Sequence, residues 1–321
     1  MKKTKILLML TIVFSLLLLT FCHNKNKNYS EKTETINKIN TPELIKWKEK
    51  LLKKRAKEDE EFKNSPTSPI AGLNRLTASP DKLSFIIFKN GNFELTESRE
   101  ENSLISVYKK GDKWLWKVFD KKFVCKNGDK IIKSEAPLEG DLTCKYKRYS
   151  FLVYPLDSRL VIVSFDPEKK ELKEFTHRYY YPPDPDYRVK ARIIRLKEKK
   201  EVKMITSQNL IKTFYRYAQI EFEVKGQKRY LFAYKKDLSV NPPKAYLFIP
   251  FKDKTNGKET YGAGRFLEIK EPAGDTFILD FNEAFNPLCN YSHVWNCSYP
   301  PSENILDIPI RAGEKKYPID H

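Results

Sequence analysis

The stretch LSFIIFKNGNFEL, residues 83–95, decides the fold class of this chain. One apolar run ends at Phe88 and a second begins at Phe93, with the turn-forming pair Asn90-Gly91 between them. Asparagine and glycine tolerate the positive φ angles that a two-residue hairpin turn requires. The stretch therefore predicts a β-hairpin.

Short apolar runs bounded by turn residues recur along most of the chain. One group lies between Ser103 and Phe165, and the other lies between Arg188 and Phe281. The second group includes separate predicted strands at Ile211–Tyr217, Gln219–Val224 and Arg229–Tyr234. Many short strands and few helix signals predict a mainly β protein, with an antiparallel β-sandwich or barrel-like body.

A helix signal precedes these strands, at residues 41–63. Thr41 supplies a hydroxyl cap, Pro42 suits the first turn, and Glu43 lies at the positive end of the helix dipole. Apolar residues follow at helical spacing until Asn64-Ser65-Pro66. We expect one N-terminal amphipathic helix that docks on the folded body; the alternative is that it binds a partner.

Residues 1–22 have the pattern of an export signal. Three lysines precede an apolar run from Ile6 to Leu19, which is short for a membrane span and leads to Cys22. Cys22 resembles the acylated cysteine of bacterial lipoproteins, although Phe21 stands where that pattern has a small residue. The sequence predicts a bacterial cell-envelope protein that is bound to the lipid bilayer through acylated Cys22 and lies outside the cytoplasm. The alternative is an uncleaved anchor helix.

The remaining chain is long enough for one large domain or two ordinary ones. Residues 23–40 are mainly Asn, Lys, Glu, Thr and Ser, which predicts a flexible tether. We predict an N-terminal β region at 67–175 and a C-terminal β region at 176–318.

The chain is strongly basic, with a formal net charge of +18 over 321 residues. The charge is scattered, and even its densest run, residues 192–203, is interrupted by Glu198 and Glu201. This distribution predicts a solvated, lysine-rich surface; the alternative is contact with anionic lipid, an anionic small molecule or an envelope polymer. We predict no nucleic-acid partner, since no spacing typical of a nucleic-acid-binding fold is present.

Four cysteines follow Cys22 in the sequence: Cys125, Cys144, Cys289 and Cys297. An even number in an oxidising compartment predicts two disulfides. Proximity favours Cys125–Cys144 and Cys289–Cys297 among the three possible connectivities. An alternative for the second pair is a metal site of Cys289, His293 and Cys297. We otherwise predict no metal and no cofactor, because the sequence lacks the phosphate-binding, nucleophile and zinc motifs.

The stretch from Leu247 onward is dense in Gly, Pro, Asn and aromatic residues at ordered intervals. Its signature begins with Thr255, Gly257, Thr260, Tyr261, Gly264 and Arg265, then Asp280, Phe281 and Asn282. It continues with Asn286, Pro287, Cys289 and Cys297, then Pro300, Pro301, Glu303, Asn304, Ala312, Gly313 and Glu314. The pattern resembles DUF1684, a bacterial and archaeal family of unknown function. This resemblance is specific over residues 240–317 and implies no established activity.

The polar residues of the signature are candidate ligand-binding residues: Tyr261, Arg265, Asp280, Asn282, Glu303, Asn304 and Glu314. The favoured interpretation is an internal polar network that braces a loop-rich end, with Asp280 paired to Arg265. In the alternative, the protein is an enzyme of unknown class using Arg265, Asp280, Asn282, Glu303 and Glu314, in which Arg265 receives an anionic group. The leading prediction is a binding or envelope-associated module.

Overall fold

The computed structural model describes residues 41–239 and 246–318. The predicted signal peptide with Cys22 and the predicted tether at 23–40 lie outside the described residues. Two α-helices lie within this part of the chain, α1 (Pro42–Asn64) and α2 (Lys170–Glu174). Short 3₁₀ helices are formed by Pro69–Ala71, Pro185–Tyr187, Phe281–Glu283, Leu288–Asn290 and Ser302–Asn304. None of the helices in the described ranges is both long and apolar enough to cross a membrane.

The strands before residue 170 are β1 (Gly72–Ala78), β2 (Ser84–Lys89), β3 (Asn92–Thr96), β4 (Ser103–Lys110), β5 (Lys113–Val118), β6 (Val124–Asn127), β7 (Lys130–Ile131), β8 (Leu142–Tyr146), β9 (Tyr149–Leu156) and β10 (Arg159–Phe165). Those after it are β11 (Arg188–Ile205), β12 (Ile211–Val224), β13 (Gln227–Lys235), β14 (Tyr246–Phe251), β15 (Arg265–Lys270) and β16 (Thr276–Asp280).

In the described residues these strands form antiparallel sheets of six, four and six strands. The N-terminal sheet has the order β1-β10-β9-β8-β6-β7, the small sheet β3-β2-β4-β5, and the C-terminal sheet β15-β14-β13-β12-β11-β16. The edge strand β15 also meets the chain just after β16, because Phe266 and Phe285 exchange both backbone hydrogen bonds at 2.9 Å. The predicted mainly β, antiparallel fold with one N-terminal helix is confirmed.

The hairpin at residues 83–95 forms as predicted. β2 and β3 pair from Lys89–Asn92 to Phe85–Thr96, around Asn90 with φ +50° and Gly91 with φ +81°. Both angles lie in the left-handed region that a two-residue hairpin turn requires.

The N-terminal and small sheets share one hydrophobic core. Phe93 of the small sheet packs edge-on against Phe151 of the N-terminal sheet, with ring centroids 4.8 Å apart. Trp116 and Phe123 are also fully buried there. The C-terminal sheet has its own core, in which Phe281 packs against Phe222 and Phe251. Aromatic burial on this scale is a dominant contribution to stability.

The contacts divide the chain between Arg55 and Ala56, so the described part of the first unit is residues 41–55. In the first unit, the Leu44 N–H lies 3.4 Å from the Thr41 hydroxyl, which supports Thr41 as the helix cap. In the second unit, the last turns of α1 pack through Phe62 against Phe175 and Tyr291, with ring centroids 5.1 and 4.9 Å away.

Candidate functional site

Arg265 lies at the centre of the sequence signature, with no exposed surface. Its Nη2 donates to Asp253 Oδ2 at 2.8 Å and to the Ile310 carbonyl at 2.7 Å. Its Nη1 donates to the carbonyls of Ala312 and Glu314. The guanidinium thus supplies to the carbonyls of residues 310–314 the hydrogen bonds that a neighbouring strand would otherwise donate. Asp253 compensates the positive charge of the guanidinium. The predicted pairing of Arg265 with Asp280 is wrong. Asp253 pairs with Arg265 instead, because it follows β14, the strand that is paired with β15.

Asp253 organises the turn that carries the first signature block. Its Oδ1 accepts hydrogen bonds from the Thr255 N–H at 2.8 Å, the Thr255 hydroxyl at 2.6 Å and the Ile310 N–H at 3.1 Å. The Thr255 and Thr260 hydroxyls lie 2.8 Å apart, and both residues are fully buried. These threonines therefore satisfy buried polar groups within the turn.

Two signature glycines are required by close backbone approach. Gly264 has φ +107°, and a Cβ there would lie 2.8 Å from the Phe251 carbonyl oxygen. Gly313 has φ +78°, and a Cβ there would lie 2.5 Å from the Ala284 carbonyl oxygen. Any side chain would clash at either position, so each glycine is explained by packing.

Glu314 forms a second buried network. Its carboxylate accepts hydrogen bonds from the Asn286 N–H at 2.7 Å, the Tyr291 hydroxyl at 2.8 Å and Arg178 at 3.0 Å. Burial raises the pKa of Glu314 above its ordinary value, although Arg178 opposes this shift. Arg178 also pairs with Asp59 of α1 at 2.6 Å, so the network ties the end of the helix to the C-terminal segment.

Asp280 and Asn282 brace the proline-rich segment before β11. The Asn282 amide accepts from the Asp184 N–H at 2.9 Å and donates to the Asp184 carbonyl at 2.8 Å. Asp280 caps the following 3₁₀ helix by accepting from the Asn282 N–H at 2.9 Å, and it lies 3.7 Å from Arg188.

The side-chain amide of Asn304 bridges the backbones of β13 and β14 in the way that a strand residue would. This amide accepts from the Phe232 N–H at 2.8 Å and donates to the carbonyls of Phe232 and Pro250 at 2.9 and 2.7 Å. The neighbouring Glu303 accepts hydrogen bonds from Arg216 and from the Tyr234 hydroxyl. Burial alone would raise the pKa of Glu303, but these bonds outweigh it and lower the pKa below its ordinary value.

The signature residues therefore brace different loops: Arg265 holds residues 310–314, Asp280 and Asn282 hold the segment at 184, and Glu303 and Asn304 join β12 to β14. Sequence reasoning found these residues but missed three of their partners, Asp253, Arg178 and Tyr291. The fold brings those partners to the signature from other segments, and no spacing in the sequence indicates them.

Comparison with known families gives a match to DUF1684, "Protein of unknown function", over residues 173–315. The chain belongs to the DUF1684 family. A solution NMR structure of an uncharacterised protein from Haloarcula marismortui has 34% sequence identity to it. That match covers 47% of this chain and 82% of the other, with a TM-score of 0.39. A search of curated proteins gives no match.

Of the four cysteines in the described part of this DUF1684 protein, two form a disulfide. Cys125 and Cys144 are joined across β6 and β8, as predicted. Cys289 and Cys297 are free thiols, so the structure does not contain the predicted second disulfide. Instead, the Cys289 N–H donates to Cys297 Sγ at 3.3 Å. Tyr261 donates to the Cys289 carbonyl at 3.4 Å, which places the last signature candidate beside this pair.

The alternative metal site of Cys289, His293 and Cys297 is not assembled. Across residues 41–239 and 246–318, no group of three or more His, Cys, Asp or Glu side chains is arranged to hold a metal ion. His293 is exposed, whereas Cys289 is buried.

A basic groove lies outside the DUF1684 segment, on the small and N-terminal sheets. It has a volume of about 650 Å³ and is lined by Arg99, Lys121 and Lys147, with aromatic surface from Phe119 and Tyr146. The Arg99 guanidinium lies 4.3 Å from the centroid of the Phe119 ring, and the Lys147 ammonium lies 5.2 Å from that of Tyr146. All three cations are exposed, and none forms an ion pair within the described part of the chain.

Two carboxylates also line this basic groove. Asp120 is held in place, because it accepts a hydrogen bond from the Lys122 N–H at 2.9 Å and another from Tyr146. Glu101 is exposed. Sequence reasoning missed the groove because its residues come from four separate turns and strand ends. The signals that could have found it are weak: a positive residue beside an aromatic one, as in Tyr146-Lys147.

Proposed function

We propose that this DUF1684 protein is a lipid-anchored binding module of the bacterial cell envelope, and that its basic groove binds an anionic ligand. The observation that carries the proposal is the grouping of Arg99, Lys121 and Lys147 around one groove without ion-pair partners among the described residues. Three cations that face solvent in one concave site raise the local positive potential, and such a site suits a ligand that supplies negative charge.

The groove favours a polymer with repeated negative groups over a single small anion. It is open and about 650 Å³ in volume, and its cations come from three different segments. Lys147 has φ +54°, a conformation that non-glycine residues rarely adopt, and this turn directs its side chain out of the strand. An envelope polymer that carries carboxylates or phosphates matches such spaced charges.

The membrane partner rests on the sequence of residues 1–22. Three lysines, a short apolar run and Cys22 fit a lipoprotein signal, and acylation there would hold the folded part at the lipid bilayer. A lipid anchor brings the groove to the envelope, where anionic polymers are abundant. The binding site and the anchor are separate parts of the proposal and are tested separately.

Replacing Arg99, Lys121 and Lys147 together with alanine should weaken binding to an anionic polymer roughly tenfold at low salt, since each lost contact is worth up to about 1 kcal/mol. The polymers to test are alginate, which carries carboxylates, and a teichoic acid, which carries phosphodiesters. Affinity would be measured for the full-length protein in detergent. The polymer with the larger loss identifies the anionic group.

The matched control replaces Lys89, Lys110 and Lys126 with alanine. These lysines are exposed on the same two sheets but do not line the groove, and their substitution removes the same amount of charge. Equal weakening by both triple variants would mean that overall charge, not the groove, attracts the polymer. If the wild-type protein binds neither alginate nor the teichoic acid, the proposed ligand class is wrong.

Replacing Cys22 with alanine should move the protein from the membrane fraction to the soluble fraction and abolish incorporation of labelled palmitate. Acylation requires the cysteine thiol, and the apolar run alone is short for a membrane span. A Cys22→Ser variant is the matched control for side-chain size. If both variants stay in the membrane fraction, residues 1–22 act as an uncleaved anchor helix and the lipoprotein assignment is wrong.

A further inference from the structure

Cys289 and Cys297 form a close dithiol within one loop, residues 288–299. The Cys289 N–H donates to Cys297 Sγ at 3.3 Å, so the second sulfur lies against the backbone of the first cysteine. Cys289 is buried, whereas Cys297 is partly exposed. This arrangement is independent of the basic groove.

The dithiol loop joins two sheets. Trp295 Nε1 donates to the Pro69 carbonyl at 3.1 Å, and the Trp295 ring packs on Phe165 of the N-terminal sheet. Close by in the same loop, the Cys297 carbonyl accepts from the Ser207 N–H at 2.9 Å, and the Cys297 N–H donates to the Ser207 hydroxyl at 3.1 Å. Ser207 follows β11 of the C-terminal sheet, so this loop is a link between the sheets.

Packing leaves this loop little freedom to move away from the N-terminal sheet. A Cβ on Gly72, the first residue of β1, would lie 2.4 Å from Val294. Val294 itself is buried among residues of β10. A covalent bond between the two cysteines would therefore fix a loop that is already attached to both sheets.

We propose that Cys289 and Cys297 close reversibly into a disulfide that acts as a redox latch on the dithiol loop, with a low-molecular-weight disulfide as oxidant and the corresponding thiol as reductant in the reverse exchange. One protein thiolate attacks the small disulfide, forms a mixed disulfide and releases one small thiol. The second protein thiolate then attacks the protein sulfur of that mixed disulfide and releases the second small thiol. The two cysteines lose two protons and two electrons, and the small disulfide is reduced to two thiols.

The two thiols of the pair differ in acidity. The hydrogen bond with Cys297 lowers the pKa of the Cys289 thiol, and this effect and the contact with Tyr261 outweigh burial. The same hydrogen bond, together with burial, raises the pKa of Cys297. One member of the pair is therefore the better nucleophile, as in other dithiols that exchange with disulfides.

The test uses the full-length protein in detergent, equilibrated in buffers of varied ratio of reduced to oxidised glutathione and then alkylated with iodoacetamide. Trypsin releases residues 271–311 as one peptide, because the sequence has no lysine or arginine between Lys270 and Arg311. That peptide carries Cys289 and Cys297 and neither Cys125 nor Cys144. Its mass therefore reports this pair alone.

We expect the peptide to change from doubly alkylated to unalkylated and two hydrogens lighter as the oxidised fraction rises, and to return on reduction. The Cys125–Cys144 peptides act as the internal control for reduction of the other disulfide. The proposal is overturned if both thiols stay alkylatable at every ratio. Glutathione that remains attached to one cysteine without closure would also overturn it.

Thermal unfolding separates a latch from an inert bond. Closure of this small loop should raise the Tm by roughly 5 °C, because the disulfide restricts the unfolded chain. At glutathione ratios that leave Cys125–Cys144 oxidised, Cys289→Ser and Cys297→Ser should each abolish the dependence of the Tm on the ratio. A Tm that does not differ between the reduced and oxidised protein would show that the bond does not latch the loop.

Discussion

At the residue scale, the fully buried guanidinium of Arg265 explains much of the DUF1684 signature. A buried charge is tolerated only when an opposite charge and hydrogen bonds compensate it. Asp253 supplies the charge, and the carbonyls of Ile310, Ala312 and Glu314 supply the acceptors. Arg265 thus accounts for the part of the signature at residues 310–314, which it holds through their backbone carbonyls.

Replacing Asp253 with asparagine should cost about 3–5 kcal/mol of unfolding free energy, because it leaves Arg265 buried without a counter-charge. The double variant Asp253→Asn with Arg265→Met should cost less than the two single losses added together. Glu221→Gln is the control, since it breaks an exposed pair with Arg192 and should cost less than about 1 kcal/mol. Urea unfolding measures all of these. A similar small loss for Asp253→Asn and Glu221→Gln would contradict the argument.

At the element scale, strands with regular apolar patterns could be predicted and irregular ones could not. β10, Arg159–Phe165, contains one unbroken apolar run of the group between Ser103 and Phe165. β1 (Gly72–Ala78) was missed because its asparagine and arginine interrupt the apolar run. Residues 211–224 were predicted as two strands but form β12 alone, with a register shift between Arg216 and Ala218. A bulge of this kind breaks the alternation of side chains, so one strand resembles two in sequence.

Residue types in the signature could also be predicted, but their partners could not. The sequence indicates that Arg265 needs a carboxylate and offers Asp280, which lies at the end of a predicted strand. The register of β14 and β15, with Phe251 opposite Arg265, places Asp253 there instead. Cross-strand register depends on the complete sheet, so pairings of this kind follow only from the fold.

At the scale of the whole molecule, several buried or half-buried carboxylates join segments that are distant in sequence. A hydrogen bond from Arg311 lowers the pKa of Glu259. Burial alone would raise the pKa of Glu271, but hydrogen bonds from Lys235 and Tyr217 outweigh it and lower the pKa. Glu303 behaves in the same way with Arg216 and Tyr234. Lowering the pH should therefore weaken these ion pairs and hydrogen bonds of the C-terminal region over the same pH range.

These lowered pKa values set the direction of the pH dependence. In the unfolded chain the three glutamates titrate near their ordinary pKa of 4.5, whereas in the folded protein they titrate lower. The unfolded state therefore binds more protons in this range, and stability rises with pH. The stabilisation is present above pH 4.5 and is lost as the pH falls through the folded pKa values. We expect the Tm to be level near neutral pH and to fall below pH 4.5.

The variant Glu303→Gln shows how much the Glu303 carboxylate contributes to this pH dependence of the Tm. It should have a lower Tm than the wild type at pH 7, because the amide loses the charge that faces Arg216. The difference between the two proteins should shrink as the pH falls below 4.5, since the wild-type carboxylate is then protonated as well. Thermal unfolding of both proteins from pH 7 to pH 3 measures this difference. A constant gap across that range would mean that Glu303 stabilises the protein through packing and not through its charge.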